Sequence, residues 1–346
     1  MTSSQEPPLL TVITVCLNRA DTIAVALESV LRQQATEDAR QQATEDARQQ
    51  ATDVADQHAG DIEHLVIDGV STDGTMAVIE RYSHVRVVSE PDKGLYDAMN
   101  KGLRLARGRY VLLLNSDDAL APGIIAAARP HMLAGTDAIC FGTDFRRGIG
   151  DGRSEVIESI TAPDAIVLSP ATATLGSPLL NAKILRRDFL ASVGEFDQRY
   201  RLASDVDFLL RVALAGPSIA VLPIVGHHYL EHAGSLTINA GDSGGRRAAE
   251  ECRAIAAATL QRTDLTPRVR FLLRAWQGGK AHALAVRERR VGAGLAAGLA
   301  TWARLLPEAA NITRFGLYLV QRKLRTPEQR LAAELALTAS HSSRGR

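Results

Sequence analysis

Short apolar runs alternate with helix-spaced stretches along the first 134 residues of the chain. A run rich in β-branched residues at 9–17 and further runs at 62–67 and 111–114 predict strands, and the segments after them repeat apolar residues with the period of a helix. The run at 111–114 is apolar at every position, which is typical of a strand buried on both faces. The pattern therefore predicts an α/β domain with a mixed, mainly parallel sheet flanked by helices.

Polar side chains follow two of these strands at the point where each strand ends. The segment 115–118 (Asn-Ser-Asp-Asp) comes directly after one strand, and Asp68 follows another. Ligands of open α/β sheets lie beyond the carboxyl ends of the strands. The adjacent carboxylates of Asp117 and Asp118 suit a hard divalent cation that also holds phosphates. A solvated turn that caps the next helix is the alternative that this pattern leaves open.

A second acidic segment, at residues 201–211, begins a predicted helix. Ser204 is predicted as the N-cap of this helix, and Asp207, three residues later, as its partner in a capping box. Asp205 has no such structural role, and residues two positions apart do not share a helix face. Asp205 is therefore the candidate for chemistry in this segment.

Further strands are predicted at 138–141 and 219–225, with a hairpin or mobile loop at 146–152. His227 and His228 are predicted to lie in a loop after the last strand. A histidine in such a loop is either an ordinary surface residue or a metal ligand.

The segment 33–56 repeats the octapeptide QQATEDAR and contains neither Gly nor Pro. Eight residues make about 2.2 helical turns, so the repeated alanines form no apolar stripe. Because most of its residues are good helix formers, we expect a solvated extension of the first helix or a poorly ordered excursion.

From residue 241 the chain changes to helices rich in Ala, Leu and Arg. Between residues 265 and 325, twelve Lys and Arg residues face only two Glu residues, and Trp302 lies near the end of an apolar stretch. Basic helices that carry Trp either lie at an anionic membrane surface or pack on the preceding domain as an ordinary appendage. Residues 341–346 are predicted to be a disordered tail.

Composition narrows the function classes. A net charge of +1 over 346 residues gives no sign of a nucleic-acid partner. Three widely spaced cysteines form no disulfide or metal pattern, which favours a reducing compartment. Without a secretory leader or an apolar stretch of ~20 residues, a cytoplasmic protein is expected, free or attached to the cytoplasmic face of a membrane.

Five motifs, in order along the chain, resemble those of the family 2 glycosyltransferases, which are inverting enzymes with a GT-A fold. The motifs are TVITVCLN, HLVIDGVSTDGT, SEPDKGLYDAMNKG, RGRYVLLLNSDD and RLASDVDFLLR. The resemblance implies a GT-A-type domain over residues 1–240, followed by a helical region at 241–340. It also implies transfer of a sugar from a nucleotide-diphosphate sugar to an acceptor hydroxyl on a glycan or a lipid-linked molecule, in polysaccharide or glycolipid biosynthesis.

The resemblance further implies roles for individual residues. Asp205 is the expected general base, and Asp117, Asp118 and His232 are the expected ligands of Mg²⁺ or Mn²⁺. The residues expected to bind the nucleotide sugar are Thr14, Cys16, Asn18, Asp68, Lys93, Asn100, Asn115 and Ser116.

The chain departs from the family pattern at three places. Asn115 stands where many members have the first Asp of a DxD motif, Val70 replaces a small or polar residue, and the octapeptide insertion is not a family feature. None of these removes a proposed catalytic carboxylate.

Two alternative functions stay open. A nucleotidyltransferase-like enzyme would normally carry a Gly-rich basic loop after the first strand. A non-catalytic nucleotide-sugar-binding scaffold would not need Asp117 and Asp205.

Overall fold

The computed structural model describes residues 7–48, 62–150, 153–176, 179–231 and 241–287. Strands and helices alternate in the first part of the chain, as predicted. These elements are β1 Leu10–Cys16, α1 Ile23–Arg48, β2 Ile62–Asp68, α2 Thr75–Ile79, β3 Val85–Ser89, α3 Leu95–Leu105, β4 Tyr110–Asn115, β5 Ala119–Leu120 and α4 Ile124–Leu133.

The second part of the chain contributes the remaining strands of the sheet and further helices. Its elements are β6 Ala138–Gly150, β7 Arg153–Ile160, α5 Pro163–Ile166, α6 Pro170–Thr174, β8 Lys183–Arg186, α7 Arg187–Val193, α8 Ser204–Leu214, β9 Ile219–Glu231, α9 Gly241–Thr259 and α10 Pro267–Arg287. A short 3-10 turn precedes β8.

The described strands form one nine-stranded sheet in the order β3-β2-β1-β4-β8-β6-β9-β5, with β7 paired to β6. Strands β3, β2, β1 and β4 are mutually parallel, and β8 runs antiparallel between β4 and β6. Strand β6 pairs in parallel with β9. The mixed, mainly parallel sheet predicted from the apolar runs is confirmed.

Helices cover both faces of this sheet, because successive side chains of a strand point to opposite sides. Ile13 and Val15 of β1 pack in a core cluster that includes residues of α3 and α8. Leu10 and Val12, on the other face, pack with residues of α1 and α4. Gly102 brings α3 close to β1, since a Cβ there would lie 2.4 Å from a methyl carbon of Ile13. This packing fixes the ends of the central strands.

Several sequence predictions change at their boundaries. The segment 146–152 belongs to the β6–β7 hairpin, which is one of the two structures predicted for it. Strand β9 extends to Glu231, so the prediction that His227 and His228 lie in a loop is wrong. Both histidines pair with β5 in the sheet.

Helix α1 continues to Arg48, so the first two octapeptides extend this helix as one of the two predictions had it. Residues 49–56 of the repeat lie outside the described residues. The start of the repeat is not solvated, however. Gln33 is 2% exposed; its amide nitrogen donates to the backbone oxygen of Ala121, and its amide oxygen accepts from the backbone nitrogen of Ile125.

The helices after residue 241 pack against the α/β domain through α9 and α10. Cys252 and Ile255 of α9 and Trp276 of α10 form a buried cluster that includes Leu210 of α8 and Ala173 of α6. No described helix is long and apolar enough to cross a membrane. Most of the basic stretch 265–325 lies outside the described residues, and its contact with an anionic membrane stays a prediction, as does the disordered tail at 341–346.

Candidate active site

The carboxyl ends of four parallel strands meet at one edge of the sheet. Cys16 pairs with Asp68, Val15 pairs with Asn115, and Asp68 pairs with Ser89. The register therefore places the acidic segment after β4 two strands away from Asp68, with the end of β1 between them. This edge is where a ligand of an open α/β sheet is expected to bind.

Asp68 organises the loop that follows β2. Its carboxylate accepts hydrogen bonds from the backbone of Val70 and Ser71, from the hydroxyl of Ser89 at 2.7 Å and from the thiol of Cys16 at 3.6 Å. The Ser71 hydroxyl also donates to it, at 2.5 Å. Burial raises the pKa of Asp68, but these hydrogen bonds outweigh it and hold the pKa below its usual range. Asp68 is fully buried, and a contact with a nucleotide base stays a prediction.

The loops after β1 and β2 are joined to each other. Asn18 is exposed; its backbone nitrogen donates to the Ser71 hydroxyl at 2.8 Å, and its amide oxygen accepts from the backbone of Thr72 at 2.9 Å. Asn18 and Val70 both have positive φ, of 55° and 66°. Asn tolerates this region of φ, but a β-branched residue there is strained. Strain of this kind is concentrated at functional sites.

The other residues predicted near the nucleotide differ in accessibility. Thr14 is fully buried and shares a hydrogen bond of 3.0 Å with His64, so its side chain serves the interior of the sheet. Cys16 is buried, and burial, followed by the charge of Asp68, raises the pKa of its thiol. Lys93 is exposed before α3, and Ser116 is buried.

The two carboxylates after β4 have different surroundings. Asp118 is 1% exposed, and its carboxylate accepts from the Asn115 amide at 2.9 Å and from the backbone nitrogen of Leu230 at 3.2 Å. His227 Nε2 lies 3.2 Å from the same carboxylate. These hydrogen bonds connect β9 to the end of β4, and the metal role of Asp118 stays a prediction. Asp117 is only half-buried at the same strand end.

Asp205 lies in the first turn of α8 and is held by a residue of another helix. The hydroxyl of Tyr96, in the first turn of α3, donates to Asp205 Oδ1 at 3.1 Å. Because α3 begins six residues after the end of β3, this contact places Asp205 at the same edge of the sheet as Asp68 and Asp117. Burial is the main cause that raises the pKa of Asp205.

The capping of α8 differs from the prediction. The N-cap residue is Ala203, and Ser204 makes no cap hydrogen bond. Its hydroxyl is buried without a partner among the described residues. Asp207 instead pairs with Arg211 at 2.8 Å. The carboxylate of Glu251 on α9 accepts from the backbone nitrogen of Ala203 and takes over the capping.

Asn100 has a structural role that the sequence did not indicate. Its amide nitrogen donates to the backbone oxygen of Phe196 at 2.9 Å, and its amide oxygen accepts from the backbone nitrogen of Phe196 at 2.8 Å. The side chain is 1% exposed. The geometry therefore does not support the predicted contact of Asn100 with a nucleotide sugar. Phe196 in turn stacks on Tyr96 and Phe208, so Asn100 braces the surroundings of Asp205.

Asp117 is the candidate ligand of a divalent cation at this edge. Among the described residues, no group of three or more His, Cys, Asp and Glu side chains is arranged to hold a metal ion. His232 lies outside the described residues, so its predicted metal role is not addressed. A Mg²⁺-type ion is usually bound by one or two carboxylates together with substrate phosphates and water. The half-buried Asp117 fits that kind of site.

Two residues that shape the site were missed in the sequence. Tyr96 stands inside the motif SEPDKGLYDAMNKG, where an aromatic residue at the start of a helix was available as a signal. Glu251 acts on a segment about 50 residues away along the chain, and no local pattern marks it. Together the site offers the half-buried carboxylate of Asp205, whose pKa is raised, and the carboxylate of Asp117 two residues after the end of β4.

Residues 11–163 match the family model described as Glycosyl transferase family 2. An uncharacterized glycosyltransferase of Mycobacterium tuberculosis is 28% identical over 162 residues, which is 46% of this chain and 60% of that protein. A PGL/p-HBAD biosynthesis glycosyltransferase of Mycobacterium bovis is 25% identical over 217 residues, 59% of this chain and 69% of that protein. The match to the first of these relatives thus spans less than two thirds of its length.

A solved structure shares the fold. The mannosyltransferase PcManGT from Pyrobaculum calidifontis, in complex with GDP-Man and Mn²⁺, superposes with a TM-score of 0.57 at 21% identity, over 95% of this chain and 86% of that one. The predicted GT-A-type fold is thereby confirmed.

Proposed function

We propose that this chain, whose residues 11–163 match the model of glycosyltransferase family 2, transfers a sugar from a nucleotide-diphosphate sugar to an acceptor hydroxyl, with inversion at the anomeric carbon. One observation carries the proposal. The hydrogen bond between Tyr96 and Asp205 brings a carboxylate on α8 to the edge of the sheet where β2 and β4 end with Asp68 and Asn115.

Asp205 is the general base of this proposal. An acceptor hydroxyl must lose its proton as it attacks, and a positioned carboxylate that accepts this proton contributes ~10²–10⁴-fold to the rate. Burial raises the pKa of Asp205, which makes the ionised carboxylate a stronger proton acceptor. Tyr96 donates to Oδ1 of this carboxylate, and the backbone N–H of Val206 also hydrogen-bonds to it, so its position at the site is fixed.

The donor is proposed to lie along the strand ends. The loops that carry Asn18 and Asp68 are joined by hydrogen bonds, and they form the side of the site proposed for the nucleotide. Asp117 is proposed to hold Mg²⁺ or Mn²⁺ together with the diphosphate. A bound cation of this kind neutralises the charge that develops on the leaving diphosphate. The similar mannosyltransferase, described with GDP-Man and Mn²⁺, supports this assignment.

One base is sufficient for this reaction, and that fits the residues present. A glycoside hydrolase needs a second carboxyl group as the acid, because its leaving group must be protonated. A nucleoside diphosphate leaves without such a proton once its charge is compensated. Attack by the hydroxyl on the face opposite the diphosphate gives inversion. A glycan or lipid-linked acceptor is proposed from the relative in PGL/p-HBAD biosynthesis.

A donor panel tests the proposal. The full chain is incubated with UDP-, dTDP- and GDP-sugars in the presence of Mn²⁺ or of EDTA, with water as the surrogate acceptor, and release of the nucleoside diphosphate is followed. Release from at least one donor with Mn²⁺, and its loss in EDTA, is expected. Binding of a donor without release by the parent chain would instead support a binding scaffold. Release of pyrophosphate from a nucleoside triphosphate and a sugar phosphate would support a nucleotidyltransferase.

A further inference from the structure

A carboxylate from the C-terminal helices caps the segment that carries Asp205. Glu251 of α9 accepts hydrogen bonds from the backbone nitrogens of Arg201 at 3.0 Å, Leu202 at 2.8 Å and Ala203 at 3.0 Å. Its side chain is 9% exposed. The first turn of a helix leaves backbone N–H groups without partners inside the helix, and an N-cap side chain usually satisfies one of them. Ala203 has no side chain that can do so.

The position of Glu251 is defined on its own helix as well. Arg247, one turn earlier on α9, donates to Glu251 Oε1 at 3.1 Å. Cys252, the next residue, is buried in the cluster that joins α9 and α10 to α8. Arg247 and the packing of α9 therefore fix the carboxylate of Glu251 where it can accept from the three backbone N–H groups. Hydrogen bonds to an ionised acceptor are about twice as strong as neutral ones.

The charge of Glu251 also acts on Asp205, two residues after the last capped nitrogen. Burial is the largest cause of the raised pKa of Asp205, and the negative charge of Glu251 adds to it. The other groups that face Asp205 are Tyr96 of α3, which donates to it, and Cys252 of α9. Lys280 of α10 acts on Cys252 and lowers the pKa of its thiol against the dominant effect of burial.

We propose that Glu251 is a positioning residue for the general base: it fixes residues 201–203 in front of α8 and places a second negative charge beside Asp205. The C-terminal helical region is then part of the catalytic unit and not an appendage to it. This inference rests on the proposed function for the assignment of Asp205 as the base. The capping itself is independent of that assignment.

Two substitutions separate the reach of Glu251 from its charge. Glu251→Gln keeps the length of the side chain and removes the charge. Glu251→Asp keeps the charge and shortens the side chain by one methylene. Glu250→Gln is the matched control, because Glu250 is the neighbouring residue on α9, is exposed and pairs with Arg246 four residues earlier on the same helix.

Amide hydrogen exchange tests the capping without reference to activity. Exchange at residues 201–203 is expected to be at least about tenfold faster in both variants than in the parent, because Gln replaces one of the two acceptor oxygens by an NH₂ donor and Asp is too short to reach the three nitrogens, and the loss of such a hydrogen bond has effects of this size. The Glu250→Gln variant is expected to exchange as the parent does. Unchanged exchange in both Glu251 variants would overturn the proposal. If Glu251→Gln does not fold, Glu251→Asp still carries this comparison.

The titration of Asp205 tests the charge effect. The pKa of its carboxyl is read by ¹³C NMR, with Asp205→Asn to assign the signal. Because the negative charge of Glu251 raises this pKa, it is expected to fall in Glu251→Gln and to stay near the parent value in Glu251→Asp and Glu250→Gln. The acid limb of kcat/KM for nucleoside diphosphate release is expected to move with it, to lower pH in Glu251→Gln alone.

The outcomes distinguish the two proposals. An unmoved titration of Asp205 in a folded Glu251→Gln variant overturns the positioning role. A parent chain that releases nucleoside diphosphate from no donor contradicts the proposed function, while the exchange and NMR results still decide whether Glu251 holds the segment before Asp205. A titration that shifts while the acid limb does not would show that Asp205 is not the base.

Discussion

Replacing Asn100 by Ala separates two roles that were considered for this residue. The amide of Asn100 makes two hydrogen bonds of 2.9 and 2.8 Å to the backbone of Phe196, and both residues are buried. The substitution leaves one N–H group and one carbonyl of Phe196 without partners. Each such buried group costs ~1–3 kcal/mol. Because water can enter the space left by the side chain, we take the lower part of this range and expect a loss of about 2–4 kcal/mol.

Urea unfolding followed by circular dichroism measures this loss, and calorimetric titration with UDP or GDP and Mn²⁺ measures binding on the folded variant. Gln198→Ala is the matched control, because Gln198 donates from the same loop to Asp97 of α3 in an exposed hydrogen bond. It is expected to change the free energy of unfolding by about 0.5 kcal/mol or less. Nucleotide affinity is expected to stay within about twofold of the parent in both variants, because Asn100 bonds to Phe196 and not to the ligand in this account.

The opposite result for Asn100 would refute the reasoning. If Asn100→Ala leaves the free energy of unfolding within about 0.5 kcal/mol of the parent and weakens nucleotide binding about tenfold or more, the side chain contacts the ligand. The role implied by the sequence resemblance would then hold, and the bracing of Phe196 would be incidental.

Three further results are expected. Asp117→Ala should weaken binding of UDP or GDP in Mn²⁺ and leave binding in EDTA unchanged. Asp118→Asn should mainly lower the melting temperature, because it disturbs contacts that hold β9. Equal effects of both variants on Mn²⁺-dependent binding would reject this division of roles. Asp205→Asn should be more stable than the parent at neutral pH, since the raised pKa of Asp205 means that its ionised form opposes folding. In thermal melts the difference in melting temperature should shrink as pH falls through that raised pKa and the parent carboxylate is protonated. A difference that is independent of pH would contradict this reasoning. Burial, and then His84, lowers the pKa of His64 to about 3, so the contribution of neutral His64 to stability is complete above the ordinary pKa of 6.5 and is lost as pH falls toward 3. In urea unfolding, the free energy of unfolding should fall less steeply between neutral and acidic pH in His64→Gln than in the parent. Parallel curves would exclude His64 as a cause.

Local pattern was sufficient for the central sheet. Strand β4 contains a continuous apolar run, and β1 and β2 are rich in apolar and β-branched residues, so their place in the sheet could be predicted from the sequence. Parallel pairing brings Asp68 and the segment after β4 to the same edge of the sheet, as the register shows, but the end of β1 lies between them, so their strand ends are not neighbours as predicted. Polar residues at the ends of buried strands are thus the signal that located the site.

Long-range contacts account for the predictions that failed. Ser204 resembled an N-cap, but Glu251 caps the segment from α9, and a partner that far along the chain leaves no mark in the local sequence. Asp118 also accepts a hydrogen bond from the backbone of β9, a contact that the local sequence does not show, and its metal role stays a prediction. For Ser204 the residue type was compatible with two roles, and tertiary packing selected between them.

The rate of nucleoside diphosphate release by Asp205→Asn tests the central claim most directly. With the donor that the panel selects and with Mn²⁺ present, turnover is expected to fall by ~10²–10⁴-fold, while donor affinity measured by calorimetry stays within about twofold of the parent. Loss of turnover with retained binding is the signature of a base that acts only in the transfer step. Turnover within about tenfold of the parent would contradict the assignment of Asp205 and, with it, the proposed mechanism.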